Sequence, residues 1–577
     1  MSGRSYRAWL CALLALAMYL PILGHPPLLE PDEGRYAEIA REMVISGDYL
    51  TPRNDWVRYF EKPPLVYWIT AAALRVFGHN EFAVRLQAAL FTAGEVAATE
   101  VLAEQMFGIR AGLLAALSLG LSPIVLGFAV FATLDPALTF FVTAALVVLY
   151  PILAEDDPGM ASVSRRVYAA AALLALGTLT KGPVAVVLTG GTVLGFLVLE
   201  GRTRRLLKIP WWGPLTLYLA VTAPWFVAVA WRNPGFVRFF FVHEHVQRYL
   251  SSREHGWGPY FFVPVIIAGT WPWLYFAGLA LKASWQSAED ASDAQSRRAI
   301  HFLLVWFFLV FVFFSIPRSK LGSYILPAIP AVAVLAGLGL ERLGHMDRRA
   351  MRWAIGPFAL LNAALSLGLL IALGFVRTQL SRPVVTDGLI AAVGILLAAV
   401  LTWLAVRGRR SSELVAGAIA LGMMLAGAGA AKARLDARAL YSYRRLARAV
   451  VPYLKPGCIL GSYRHFVQAL PFYTGHRETL IAYRGELAPF SRAADARGSF
   501  IGTDRGLAQS WASQSCVVVV ADFANLPHLE RLLRPAPSVI ACEGKKLALY
   551  NRPVHGTIHR YNCRAGHSGF SLGRGAE

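Results

Sequence analysis

CALLALAMYLPILGHPPLLEPDEGRYAEIA, residues 11–40, is the stretch on which the fold turns. Its first half is an apolar run that, with its flanking positions, reaches the roughly 20 residues a bilayer crossing needs. Its second half sets Glu30, Asp32 and Glu33, and then Glu38, at the mouth of that run. Carboxylates beside hydrocarbon are costly unless something pairs with them. Two questions follow: how many such spans the chain has, and which other polar groups reach the same face.

The chain has 577 residues, of which 56% are hydrophobic and only 16% charged, and its mean hydropathy is +0.49. Apolar runs of membrane length recur from residue 8 to about 431. A polytopic, α-helical membrane protein is the class this predicts. A cleaved signal peptide does not fit the first run, since no small-x-small site follows and many more spans do. The net charge of +21 invites a nucleic-acid reading. The basic residues instead fill short loops between spans, as cytoplasmic loops of membrane proteins do, so no nucleic-acid partner is expected.

The charge rule orders the spans. Arg4 and Arg7 keep the N-terminus inside, and residues 8–24 cross outward. Residues 25–80 form a polar, proline-marked outer loop in which KPPLVYWITAAALRVFG would lie along the interface or dip into it. Spans follow near 83–103, 110–127 and 136–154, and 167–200 holds two more, broken by TLTKGP at 178–183. After the basic loop EGRTRRLLK come spans near 211–231, 260–282, 300–316, 324–340, 353–376, 386–406 and 412–431. The total is about thirteen, and the loops ending at Arg166, Arg298 and RGRR fall inside each time. The outer loop 232–259 and PRSK are basic exceptions.

Beyond residue 432 the pattern changes. GCILGSY, SCVVVVADF and KKLALYN are apolar runs of strand length separated by helical and polar stretches. They predict a small α/β domain over 432–577, attached to a helical domain over 1–431, with a structural or lid-like role. No phosphate-binding glycine loop and no GxSxG occurs in it. Of the five cysteines, Cys11 stands apart, and Cys458, Cys516, Cys542 and Cys563 lie in this segment without metal spacing. One or two disulfides would form there in an oxidising compartment.

On this topology several ionisable groups share the outer face. Asp32 opens a segment, 33–46, whose apolar residues recur at helical spacing, so an amphipathic surface helix is expected. Asp32 alone also fits an ordinary helix cap. FATLDPAL puts Asp135 just before a span, FEKPPLVYW brings Glu61 and Lys62 beside two prolines, HEHVQRY carries His243, His245 and Arg248, and PRSKLGSY carries Arg318, Lys320 and Tyr324. Each has a plain alternative: a cap for Asp135, a snorkelling stem for Lys320, a solvated loop for His243, His245 and Arg248. Together, both signs of charge at one membrane face suit phosphate binding next to carboxylates.

EPDEGRYAEIAREM, EKPPLVYW, LDP, TKGP, HEHVQRY and SKLGSYILP together resemble the bacterial 4-amino-4-deoxy-L-arabinose lipid A transferases. These are members of the GT-C superfamily of polyprenyl-phosphate-dependent glycosyltransferases, alongside the protein O-mannosyltransferases. The resemblance covers residues 1–431 and agrees with about thirteen spans and an outer C-terminal domain. It implies an inner-membrane enzyme, acting as a monomer at the periplasmic side, that takes the sugar from undecaprenyl phosphate and delivers it to a lipid A phosphate. It matches Asp32 and Asp135 to the family's outer-face aspartates, with Glu33 beside them as a third candidate catalytic carboxylate. It matches Lys62, Arg248 and Tyr324 to the carrier-phosphate ligands, which Lys320 and Arg318 join by position. It matches Glu61 and His243 to a pair that would hold a divalent metal such as zinc, a thin ligand set by itself. Lys181, in TLTKGP, reads as a residue of a tight turn between spans. Two rivals stay open: a transferase acting on protein hydroxyls or another envelope glycan, and a transporter of lipid-linked sugar, which would favour polar groups near the midplane within repeats.

Overall fold

The computed structural model describes residues 3–25, 27–247, 257–286, 294–376, 382–407, 412–438, 442–491, 496, 498–513, 516–554 and 559–561. The chain divides into two compact units. The first is Met1–Leu23, Glu61–Val66 and Arg85–Arg434; the second is Gly24–Phe60, Tyr67–Val84 and Leu435–Glu577.

The first unit is helical because its sequence is. Uniformly apolar runs satisfy their backbone groups only within a helix once water is excluded. Among the described residues, seven helices are long and apolar enough to cross a membrane unaided, or nine if two bent pairs each count as one span. The bent pairs, Ile109–Gly120 with Pro123–Ala129 and Pro259–Thr270 with Trp273–Trp285, turn by 63° and 102°. Pro123 and Pro272 sit at the breaks, where each removes a backbone N–H. The helices Glu81–Phe107, Met160–Lys181, Val184–Leu199 and Ser412–Arg438 occupy the remaining expected spans, so each of the thirteen segments is helical.

The most enclosed helix is Ile329–Leu343. Its small residues allow close crossings: a Cβ on Gly337 would lie 2.5 Å from the Ala111 carbonyl oxygen, and one on Gly339 would overlap the Phe276 carbonyl. Small residues at such crossings are how membrane helices gain contact area without a hydrophobic driving force. At the basic loops, Asp156 pairs with Arg202 at 2.5 Å and Arg298 at 3.2 Å, and Glu104 pairs with Arg7 at 2.7 Å.

The second unit joins the loop after the first span to the C-terminal segment. The loop holds the helix Asp32–Ser46 and a hairpin of β1, Arg53–Asn54, and β2, Val57–Arg58. Asp55 and Trp56, both at positive φ, make its tight turn. The sheet has seven strands in the order β5-β4-β3-β6-β8-β7-β9: β3 Ile459–Tyr463, β4 Glu478–Ile481, β5 Phe500–Ile501, β6 Val517–Asp522, β7 Ser538–Glu543, β8 Lys546–Tyr550 and β9 His559–Tyr561. Strands β5, β4, β3 and β6 run parallel, and β8 is antiparallel to both neighbours. The three expected strand segments are β3, β6 and β8, the centre of the sheet. All four valines of β6 are fully buried, as a strand covered on both faces requires. Cys458 and Cys516 form a disulfide where β3 and β6 begin. Cys542 is disulfide-bonded too, Cys11 is free, and Cys563 lies outside the described residues.

The helix Asp32–Ser46 forms where expected but is no interfacial helix with one wet face. Glu33, Glu38, Arg41 and Glu42 are buried within the second unit. Gly34 explains how: a Cβ there would stand 2.5 Å from the Ala469 amide nitrogen, so only glycine admits the backbone of 468–469.

Candidate active site

In the first unit, Asp135 opens the helix Asp135–Ala154 with Pro136 behind it. Its carboxylate is almost wholly buried and forms an ion pair with Lys181. Lys181 ends the helix Met160–Lys181, which Gly182 terminates at φ 77°. Its ammonium also stands 4.4 Å from the centre of the Tyr324 ring, which it approaches as a cation–π partner. Lys62 donates to the Glu61 carbonyl and lies 3.7 Å from the buried carboxylate of Glu244.

Lys62, Lys181, Glu244 and Tyr324 line one cavity of about 300 Å³, whose other walls include Val184, Val187, Phe313 and Phe314. Two cations, one carboxylate and a phenol thus line an apolar chamber, and Asp135 reaches it through its ion pair with Lys181. That composition accepts an anionic group carried on a hydrocarbon chain: the ammonium groups supply charge-assisted hydrogen bonds, and the low-dielectric walls strengthen them.

Sequence reasoning singled out Lys62, Asp135 and Tyr324, and the structure brings them to this cavity and its rim. Sequence patterns do not single out Lys181, which reads as a turn residue, or Glu244, which sits between His243 and His245. The available signal for Lys181 was that the charge rule puts it, like LDP, at the expected outer end of a span. Arg318 and Lys320 are not here. They line a second cavity of about 650 Å³ with Trp257, Phe311, Val312, Ser315 and Ile316, because the chain presents them on the opposite side of the segment that carries Phe313 and Phe314. Arg248 lies outside the described residues, as does the side chain of His245.

His243 is exposed, stacks on Phe239 at 5.2 Å and faces Glu244 at 3.3 Å. Among the described residues no three His, Cys, Asp or Glu side chains gather as a metal ion needs. Glu61 and His243 by themselves would be a two-residue set, fewer than the three or four protein ligands that zinc takes.

In the second unit, Asp32 is no N-cap; Pro31 holds that position without a side-chain bond. Asp32 is partly exposed and lies 3.3 Å from Arg35, whose guanidinium also meets Glu486 at 3.0 Å. Glu486 accepts from Gln468, which in turn accepts from Asn54 at 2.8 Å. Glu33 is fully buried, and its carboxylate accepts the Leu29 N–H at 2.9 Å. A carboxylate enclosed and spent on the backbone does not face a substrate, which corrects its reading as catalytic. Glu30 accepts the N–H groups of Gln468 and Ala469, both at 2.8 Å. Burial still pushes its pKa up to about 7 against those bonds.

Residues 61–228 match the family described as dolichyl-phosphate-mannose-protein mannosyltransferase, and residues 446–551 match the aminoarabinose transferase C-terminal domain. The undecaprenyl phosphate-α-4-amino-4-deoxy-L-arabinose arabinosyl transferase 2 of Pseudomonas fluorescens is 35% identical over 388 residues, 66% of this chain and 67% of that protein. The chain belongs to the aminoarabinose transferase family. A relative in Aeromonas hydrophila, named as the same arabinosyl transferase, is 34% identical over 361 residues, 61% of this chain and 64% of that protein. The alignments thus span about two thirds of these relatives. Crystal structures of ArnT from Cupriavidus metallidurans, apo and bound to undecaprenyl phosphate, superpose with a TM-score of 0.81 each. They are 27% and 28% identical and cover 96% of this chain and 99% of theirs. Membership makes the chain a multi-pass membrane glycosyltransferase, and the C-terminal match bears on the sugar, which the membrane spans alone did not.

Proposed function

We propose that the protein transfers 4-amino-4-deoxy-L-arabinose from undecaprenyl phosphate to a phosphate of lipid A, on the periplasmic face of the inner membrane, as a single chain. The observation that carries this reading is the apolar cavity lined by Lys62, Lys181, Glu244 and Tyr324, in a fold shared with a relative solved with undecaprenyl phosphate bound.

An oxygen of the acceptor phosphate attacks the anomeric carbon, and the bond from that carbon to the carrier phosphate breaks. The donor's phosphodiester becomes undecaprenyl phosphate, and the acceptor's phosphomonoester becomes a phosphodiester. One displacement inverts the anomeric centre. Lys62 and Lys181 neutralise the charge that grows on the departing phosphate, and the Tyr324 hydroxyl donates to it. Asp135 holds the Lys181 ammonium in place. The anomeric carbon gains oxocarbenium character, which the Glu244 carboxylate is suited to balance. An acceptor phosphate is anionic near neutral pH and needs no general base; a protein hydroxyl would need one.

Two measurements test this. Lys62→Met and Lys181→Met should each lower transfer, assayed in membranes given donor and lipid A, by about 100-fold or more, the scale of a lost charge-stabilising donor. Retention of the wild-type rate by both would remove the cavity from the reaction. Mass analysis of lipid A should lose its aminoarabinose on deletion of the gene, with increased killing by polymyxin. Unchanged lipid A, with a modified protein instead, would favour the hydroxyl-acceptor reading.

A further inference from the structure

The helix Ile329–Leu343 leads away from Tyr324 to the basic loop ERLGHMDRRAMR, residues 341–352, which the charge rule places inside. Its 15 residues amount to about 22 Å of helix, so this end of the bundle stands apart from the cavity that holds Lys62 and Tyr324. The next helix, Arg348–Val376, begins here. Arg349, Arg352, Trp353, Gly356 and Leu360 recur along it at helical spacing, as one stripe. With Pro357 beside them they line an open hollow of about 790 Å³.

Each part of the stripe has a distinct chemistry. Arg349 and Arg352 are exposed and one turn apart, close enough for both guanidinium groups to reach one phosphate. Asp347, just before them, is engaged with the helix start, where it accepts the Ala350 N–H at 2.7 Å. Trp353 and Leu360 are 75% and 73% exposed. Gly356 leaves a notch between them: the first atom a Cβ there would meet lies in the Trp403 ring, 4.0 Å away. Trp403 belongs to the helix Arg382–Arg407 and carries a third guanidinium, that of Arg407, 5.4 Å from its ring centre. Pro357 stands inside the helix and has no N–H to give the Trp353 carbonyl four residues back.

Inner loops are commonly basic, and a loop charge by itself is solvated. Here the charges continue into an indole, a carbonyl without its helical donor, a notch and an apolar side chain, all on one stripe. We propose that this hollow binds one anionic phospholipid of the phosphatidylglycerol type. Its phosphate sits between Arg349 and Arg352, a glycerol hydroxyl donates to the Trp353 carbonyl, and an acyl chain passes over Gly356 and Leu360 beside Trp403. Basic pockets between helices at the inner face favour anionic lipids in this way. A choline headgroup has no O–H or N–H for that carbonyl and brings a positive charge to the arginines. The inference does not depend on the transferase reading.

Native mass spectrometry of the full-length protein, titrated with phosphatidylglycerol and with phosphatidylcholine of the same chains, counts the lipids retained. The double variant Arg349→Gln/Arg352→Gln should bind one phosphatidylglycerol about 100-fold more weakly, two charged hydrogen bonds at about tenfold each, and so retain one fewer than wild type. Its phosphatidylcholine retention should match wild type. Gly356→Leu, with both arginines intact, should lose the same lipid by filling the notch. It should do so without loss of thermal stability, because leucine is the better helix former. Retention of that phosphatidylglycerol by either variant overturns the proposal. Glycerol phosphate in large excess should displace nothing. Displacement by it would make this a site for a free phosphate, and displacement by undecaprenyl phosphate would make it a carrier-lipid site; either result overturns the assignment.

Discussion

Asp135 and Lys181 show what a single pair adds to a motif. LDP and TKGP are 46 positions apart, and each alone is a helix terminus with an ionisable residue. Paired, they place a fixed ammonium beside the Tyr324 ring. Asp135→Asn should keep the fold and release that ammonium, lowering transfer by about 10- to 100-fold, less than Lys181→Met, because the cation remains but its orientation is lost. A larger loss in Asp135→Asn than in Lys181→Met would make the carboxylate itself the reacting group. Asp32→Asn addresses the other aspartate. Beside Arg35 and partly exposed, it should show a clear drop in transfer; a wild-type rate would take it out of the catalytic set.

The helix Asp32–Ser46 was legible as a helix from its periodicity, but its burial was not. Four of its buried residues are charged, which hydropathy reads as surface. They are tolerated because each is paired: Glu38 holds Arg41 at 2.6 and 2.7 Å, Glu42 accepts the Trp56 N–H, and Glu33 accepts that of Leu29. Gly34→Ala should lower the thermal stability of the full-length protein, at a cost of about 1–3 kcal/mol typical of overpacking, since the Ala469 backbone has no room to give. In the sheet, the Cys458–Cys516 bridge closes a separation of 58 residues. Cys458→Ser should destabilise by about 4 kcal/mol on the chain-entropy estimate, read as a lower midpoint in thermal unfolding. An unshifted midpoint in either variant would mean that the contact concerned does not limit stability.

Over the whole molecule, two properties are open to measurement. The first is orientation. In a Cys11→Ser background, an impermeant maleimide applied from the periplasmic side should label Tyr260→Cys and spare Leu207→Cys, both exposed positions. The opposite pattern would invert the charge-rule topology. The second is pH dependence. Burial raises the carboxyl pKa of Glu30 to about 7, and burial with mutual repulsion also raises those of Glu42, Asp55 and Glu478. A carboxyl with a folded pKa above its unfolded value of about 4.3 binds its proton more tightly when folded. Its stabilisation is complete below the unfolded value and is lost as pH rises through the folded one. The unfolding temperature should therefore fall between about pH 5 and pH 8, and Glu30→Gln should flatten that slope; an unchanged slope would show that Glu30 stays ionised.

The sequence by itself determined the spans, the order in which they cross, the central strands and the motifs that carry ionisable groups. These follow from composition over short windows, since hydrocarbon thickness and backbone satisfaction act on local stretches of chain. Only the tertiary structure decided that Lys181 answers Asp135, that Glu244 answers Lys62, that Glu33 turns inward, and that Arg318 and Lys320 serve a different cavity from Tyr324 four positions on. Those outcomes depend on which way a side chain leaves its helix end and on what segments distant in sequence bring to meet it, and no local pattern records either.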